Sequence, residues 1–289
     1  MQKQQEIEGL IYQILPTLAS NQKKVANFFL EHIDLVALLP IKDVAQRAHV
    51  SEASIVRFAQ SLGFKGYKEL KEDLSTALKN QLSPTQHYQF AVTEKGKNPD
   101  TLKLVADNVV KNIHDTVKSV DAKVFSQIVD SIIAARRIYC LGLEISAHLS
   151  QLMTFLLRQY SYDAQYLSLD YFRYQEQIAF LKKEDLLIAF SFSPYSRETV
   201  EAIELAKRLG IRSIAFTDKK IAPIRQHATH CIQIKTDNIT FSNSLGAVMT
   251  VINAIINELN FRDEKRTLQA LQIIEESIKD ERYFMATGE

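Results

Sequence analysis

Residues 50–67, Val-Ser-Glu-Ala-Ser-Ile-Val-Arg-Phe-Ala-Gln-Ser-Leu-Gly-Phe-Lys-Gly-Tyr, constrain this chain more than any other stretch. Just upstream, Ile41, Val44, Ala45 and Ala48 recur at i, i+3, i+4 and i+7, the apolar stripe of a short helix. His49 and Val50 interrupt it, Ser51 is a natural N-cap, and Glu52 suits the first turn of a new helix. That helix places Ile55, Phe58, Ala59 and Leu62 inward and leaves Glu52, Ser54, Arg57, Gln60 and Ser61 outward, with Gly63 as its stop. Two short amphipathic helices joined by a tight turn are how a chain lays side chains in a DNA major groove.

Any small helical bundle contains such pairs, so the charge pattern matters. Arg57, Lys65 and Lys68 all lie between Glu52 and Glu69, with no acidic residue among them. This is local positive charge suited to phosphates. Gly63 and Gly66 flank Lys65 in a turn where backbone N–H groups can approach a phosphate. The sequence therefore predicts groove contact from Ser51, Ser54 and Arg57, with Glu52 beside them, and phosphate contact from Lys65, Gly66 and Lys68.

At 289 residues the chain is long enough for two domains. Its formal net charge of +1 excludes a strongly basic nucleic-acid coat, so DNA contact must come from a local patch. Cys140 and Cys231 are too few for a disulfide framework, and Cys140 sits in an apolar run as a small core residue would. The N-terminus lacks the apolar region of a signal peptide, and no apolar run approaches membrane-spanning length. The expectation is a soluble cytoplasmic protein with no membrane contact.

From Ile7 to about Leu82 every segment reads helical. Ile7, Leu10, Ile11, Ile14 and Leu15 form one stripe; Ser20 can cap a second helix lined by Val25, Phe28, Phe29, Ile33 and Val36; Leu70, Leu74, Ala77 and Leu78 form a later one. A polar stretch carrying Pro84, Gly96 and Pro99 is the candidate linker. Beyond it, apolar runs near 137–142, 164–169, 185–190, 212–217 and 231–234 alternate with helical patterns. This predicts an all-α helix-turn-helix domain at 1–82, a linker at 83–99, and an α/β domain at 100–289. The last would be a doubly wound, parallel five-stranded sheet, which binds ligands beyond the carboxyl ends of its strands.

Hydroxyls crowd the ends of the first and third strands. Gly142-Leu-Glu144-Ile-Ser146 follows one, and Ser191-Phe-Ser193-Pro194-Tyr195-Ser196-Arg197-Glu198-Thr199 follows the other, each leading into a helix. Hydroxyls at helix N-termini suit an anion such as a phosphate monoester. Capping alone would account for Ser146 and Ser196, but the crowding of Ser191, Ser193 and Ser196 favours a site.

Together the two halves resemble the RpiR family of bacterial transcription regulators, which join a helix-turn-helix domain to a SIS (sugar isomerase) domain. The family pattern Val-Ser-x-x-(Ser/Thr)-Ile-x-Arg-Phe, then Leu-Gly-Phe-x-Gly-(Phe/Tyr), is matched by Val50 to Tyr67. The resemblance implies a regulator whose SIS domain binds a phosphosugar or related metabolite and changes affinity for operator DNA. Gly142, Ser146, Ser191, Ser193 and Ser196 match the family's two loop patterns, and with Glu144, Arg197 and Thr199 beside them they make the expected ligand site. Glu144 and Pro194 stand where the family usually has glycine. A carboxylate at 144 repels a phosphate, and proline at 194 removes an N–H donor. Arg197 could compensate by contacting the anion or pairing with Glu144. A zwitterionic or amine-bearing metabolite using both Glu144 and Arg197 is an alternative, and a site that binds nothing is another.

A linkage mechanism requires at least a dimer, so the expected partners are operator DNA, a small-molecule effector and further copies of the chain, as a dimer or tetramer. No cofactor, metal or catalytic residue is expected. His227, His230 and Cys231 lie close together without a second ligand cluster. His148 and Thr217-Asp218 could face the ligand crevice. The aromatics Tyr160, Tyr162, Tyr166, Tyr171, Phe172, Tyr174 and Phe180 are expected in core and subunit-interface packing. The rival reading is a phosphosugar isomerase with a helical N-terminal extension, using Glu144, Glu198 or His148 as base. A SIS-type module acting through protein partners alone is a third.

Overall fold

The computed structural model describes residues 2–79, 100–170 and 172–279, with 85, 88, 89, 91 and 92 between. The chain divides into two compact units, residues 1–99 and 100–289. The expected linker, 83–99, lies largely outside the described residues, as does Tyr171.

The first unit is helical: α1 (Gln2–Ile14), α2 (Ser20–Glu31), α3 (Ile33–Leu38), α4 (Ile41–Arg47), α5 (Glu52–Ser61) and α6 (Tyr67–Lys79). Their apolar stripes meet in one core containing Ile11, Val25, Phe29, Val44, Ile55, Phe58, Leu70 and Leu74. Phe29 stands edge-on to Phe58 with ring centroids 5.1 Å apart, the arrangement favoured by aromatic quadrupoles. Ser20 is not a cap: the extended residue before α2 is Ala19, which carries no acceptor, and Ser20 is already helical. The side chains of Ala77 and Leu78 lie outside the described residues.

The second unit runs α7 (Thr101–Ser119), α8 (Ala122–Ile133), β1 (Ile138–Leu141), α9 (Ile145–Gln159), β2 (Ala164–Tyr166), α10 (Tyr174–Ile178), β3 (Leu186–Phe190), α11 (Arg197–Leu209), β4 (Arg212–Thr217), β5 (His230–Gln233), α12 (Gly246–Arg262) and α13 (Glu264–Lys279). Among the described residues the sheet has five strands, all parallel, in the order β2-β1-β3-β4-β5. Alternate strand residues feed opposite faces. Cys140, Ile188, Phe190 and Phe216 pack with Ile132, Met153 and Ile252 of α8, α9 and α12. Tyr139, Leu187, Ala189 and Ala215 pack with Ile178, Ala202 and Ala206 of α10 and α11. Helices therefore cover both faces. The order of strands reverses between β1 and β3, and that switch point is where doubly wound sheets open a crevice.

The aromatic group of the second βα unit splits. Tyr162 and Tyr174 are buried, whereas Phe172 and Phe180 are exposed at 63% and 87%. Phe172 precedes α10 and Phe180 follows it, so both lie outside that helix.

Candidate functional site

In the helical unit, α4 turns into α5 through His49, which takes a left-handed backbone at φ 52°. The Ser51 hydroxyl accepts the Ser54 N–H at 3.3 Å and so caps α5. Ser54 itself is buried, with its Oγ 2.9 Å from the Ser51 Oγ. This corrects the outward placement of Ser54: its hydroxyl turns back to the cap, at the edge of the face formed by Ile55, Phe58 and Ala59. Ser51, Glu52, Ala53, Arg57, Gln60 and Ser61 are exposed. Ala53, Arg57 and Gln60 make an open stripe at i, i+4 and i+7, and Ala53 was missed because a methyl carries no chemical signal.

Gly63, at φ +92°, ends α5 in a conformation costly for other residues. Gly66 differs: its φ is not positive, and a Cβ there would meet nothing within 4 Å. Lys65 and Lys68 are exposed, but the Lys65 N–H already donates to the Glu69 carboxylate at 2.5 Å. That turn therefore does not offer the Lys65 amide to a phosphate. The two lysine side chains remain available to one.

In the α/β unit, a cavity of about 450 Å³ opens at the switch point, a volume suited to a small metabolite. After β1 it is lined by Leu143, Glu144 and Ser146. After β3 it is lined by Ser191, Phe192, Pro194 and Tyr195, with Ser196, Glu198 and Thr199 at the start of α11. Ser196 caps α11, its Oγ accepting the Thr199 N–H at 3.0 Å, and the two hydroxyls lie 2.8 Å apart. Ser191 is 3% exposed, and its Oγ has no hydrogen-bond partner among the described residues. Unpaired buried hydroxyls are rare, so one lining a cavity points to a bound group.

Gly142, Ser193 and Arg197 stand elsewhere. A Cβ on Gly142 would sit 2.7 Å from the Ser146 carbonyl oxygen, so only glycine lets β1 turn into α9. Its carbonyl accepts the buried Tyr174 hydroxyl at 2.9 Å. Gly142 shapes the loop and does not line the cavity. Ser193 is held by its backbone: its N–H donates to Asp218 at 3.4 Å and its carbonyl accepts from Asn243 at 3.0 Å. Arg197 is turned to solvent, its side chain 87% exposed and paired with Glu201 at 2.5 Å, one helical turn along. It meets neither the cavity nor Glu144.

Sequence reasoning passed lightly over Tyr195 and Asp218. The Tyr195 hydroxyl donates to the buried Asp218 carboxylate at 2.7 Å. Burial, then this carboxylate, push the Tyr195 phenol well above its ordinary range, so it stays a neutral donor. Asp218 follows β4 directly, and that adjacency to β3 was the available signal.

Residues 5–81 match the helix-turn-helix domain of the rpiR family, and residues 131–258 match the SIS domain. The chain belongs to the rpiR family of regulators. It is a transcription regulator that joins a DNA-binding helix-turn-helix to a SIS domain. An HTH-type transcriptional regulator of Haemophilus influenzae is 27% identical over 94% of this chain and 96% of its own length. Two solved structures share the fold. The sugar isomerase domain of an RpiR transcription factor from Sphaerobacter thermophilus aligns at TM-score 0.59 and 23% identity, over 61% of this chain and 98% of its own. The Vibrio vulnificus NanR protein complexed with ManNAc-6P aligns at TM-score 0.58 and 20% identity, over 96% of this chain and 99% of its own. No helix among the described residues is long and apolar enough to cross a membrane.

Proposed function

We propose that this rpiR-family regulator senses a sugar derivative in the switch-point cavity, and that occupancy changes its affinity for operator DNA. The observation carrying the reading is the buried, unpartnered Ser191 hydroxyl inside that cavity, in a chain whose other unit is a helix-turn-helix. The NanR complex with ManNAc-6P supports a sugar derivative, phosphorylated or otherwise, as the class.

In this reading residues 1–82 bind DNA, 83–99 link, and 100–289 sense. Ser51, Glu52 and Arg57 face the groove, while Lys65 and Lys68 hold phosphates. Glu144, Ser146, Ser191, Ser196 and Thr199 contact the ligand. The protein works beside the chromosome, in the cytoplasm, as a homo-oligomer whose paired reading heads fit paired half-sites. The SIS unit acts as a sensor and not as an isomerase, because turnover would have no use for a reading head. Relatives named as transcriptional regulators support that view.

The test is operator binding by Arg57→Ala, measured as anisotropy on the DNA upstream of its own gene with nonspecific competitor present. Loss of a bidentate arginine contact removes about 1–3 kcal/mol of discrimination, a fall of roughly five- to 150-fold in selective affinity. Unchanged selectivity would overturn the docking.

A further inference from the structure

Among the described residues no Lys, Arg or His lines the cavity, whereas Glu144 and Glu198 do. Arg197, the nearest candidate counter-charge in sequence, is turned outward and paired with Glu201. Two helix N-termini converge here, those of α9 and α11, and each would ordinarily favour an anion by roughly half a positive charge. Each already carries its own. Glu144 is the N-cap residue of α9, and Glu198 sits in the first turn of α11. Against a combined dipole of about +1, those two charges leave the mouth near −1 overall, facing a phosphate monoester that would bring about −1.5 to −2 more.

The backbone at Glu144 sharpens the point. Its φ of 53° and ψ of −124° are a glycine's conformation, adopted by a glutamate only against steric strain. The strained residue lines a cavity whose Ser191 hydroxyl, more than nine-tenths buried, has no partner among the described residues.

We propose that Glu144 supplies, with its own carboxylate, the negative charge a ligand phosphate would otherwise bring, so that the cavity takes a cationic, amine-bearing sugar without a phosphate. The ligand ammonium meets Glu144 and Glu198, and its hydroxyls exchange hydrogen bonds with Ser191, Ser196 and Thr199. This rests on the reading of the cavity as a sugar-derivative site and narrows its class.

The experiment is thermal melting of the full chain with a hexosamine panel (glucosamine, galactosamine, mannosamine), with glucose 6-phosphate, and with inorganic phosphate. It is repeated on Glu144→Gln and Glu144→Gly. Wild type should melt higher with at least one hexosamine and respond to neither phosphate compound, because only a ligand bound by the native state raises its stability. Glu144→Gln should weaken the hexosamine response tenfold or more. Glu144→Gly should lose it and gain a response to inorganic phosphate. A wild type that responds to glucose 6-phosphate overturns the proposal and leaves the sensor reading standing. So does a hexosamine response that Glu144→Gln does not change. Silence of wild type and both variants toward every compound overturns both.

Discussion

Glu144 holds a left-handed backbone at φ 53° without any hydrogen bond from its side chain to the helix it precedes. Strain of this kind costs on the order of 1–3 kcal/mol, while glycine gives back roughly 0.5–1 through the greater freedom of its unfolded chain. Glu144→Gly should therefore stabilise the protein by about 1 kcal/mol, read as a higher urea midpoint with an unchanged slope. Cys140 makes a second residue-scale case. It is fully buried on β1, and burial pushes its thiol up to about 12. With so little thiolate, Cys140 should resist iodoacetamide at about pH 8 in the native state and react once unfolded; labelling mapped by peptide mass checks this. At this scale the sequence was legible where composition decides and illegible where direction does. Periodicity put Ser54 near the outer face but could not show its hydroxyl turning to Ser51. Adjacency put Arg197 beside the site, but its place on α11 aims it at Glu201.

Between elements, single polar ties fix geometry that apolar stripes leave loose. The Tyr67 hydroxyl at the start of α6 reaches the carbonyls of Val36 and Leu39, each at 2.9 Å, closing the end of α3. Burial, then the Asp43 charge, push its phenol above the ordinary range, so it remains a donor at any working pH. Tyr67→Phe should cost about 1–2 kcal/mol, because those carbonyls lose a donor; chemical denaturation measures it. Nothing in the helical pattern announced this tie, since an aromatic at a helix start reads simply as core. The α/β half was easier. Each strand is short, apolar and bounded, and strict alternation with helices admits few topologies. Ser196 precedes α11 as a cap does, its side chain taking the Thr199 N–H, whereas Ser146 lies inside α9 behind the N-cap residue Glu144. The Tyr195–Asp218 tie stayed hidden because it joins neighbouring strand ends distant in sequence.

For the whole molecule, a net charge of +1 leaves little long-range attraction to DNA, so affinity must come from local contacts of the helix-turn-helix. If the protein binds as a symmetric oligomer, its operator carries half-sites separated by whole turns of the duplex, about 10–10.5 base pairs each. Inserting about five base pairs between the half-sites turns one of them to the opposite face of the DNA and should reduce affinity to that of a single half-site. Inserting about ten restores the face and should recover part of the loss. Footprinting and anisotropy on the spacer series read both outcomes. The same series reports on the sensor. A ligand that acts by changing the spacing of reading heads should alter affinity for the native spacer while leaving single half-site binding unchanged, because linkage acts only through states that differ in how they meet the DNA. Equal ligand effects on every spacer would place the coupling inside one helix-turn-helix instead of between paired ones.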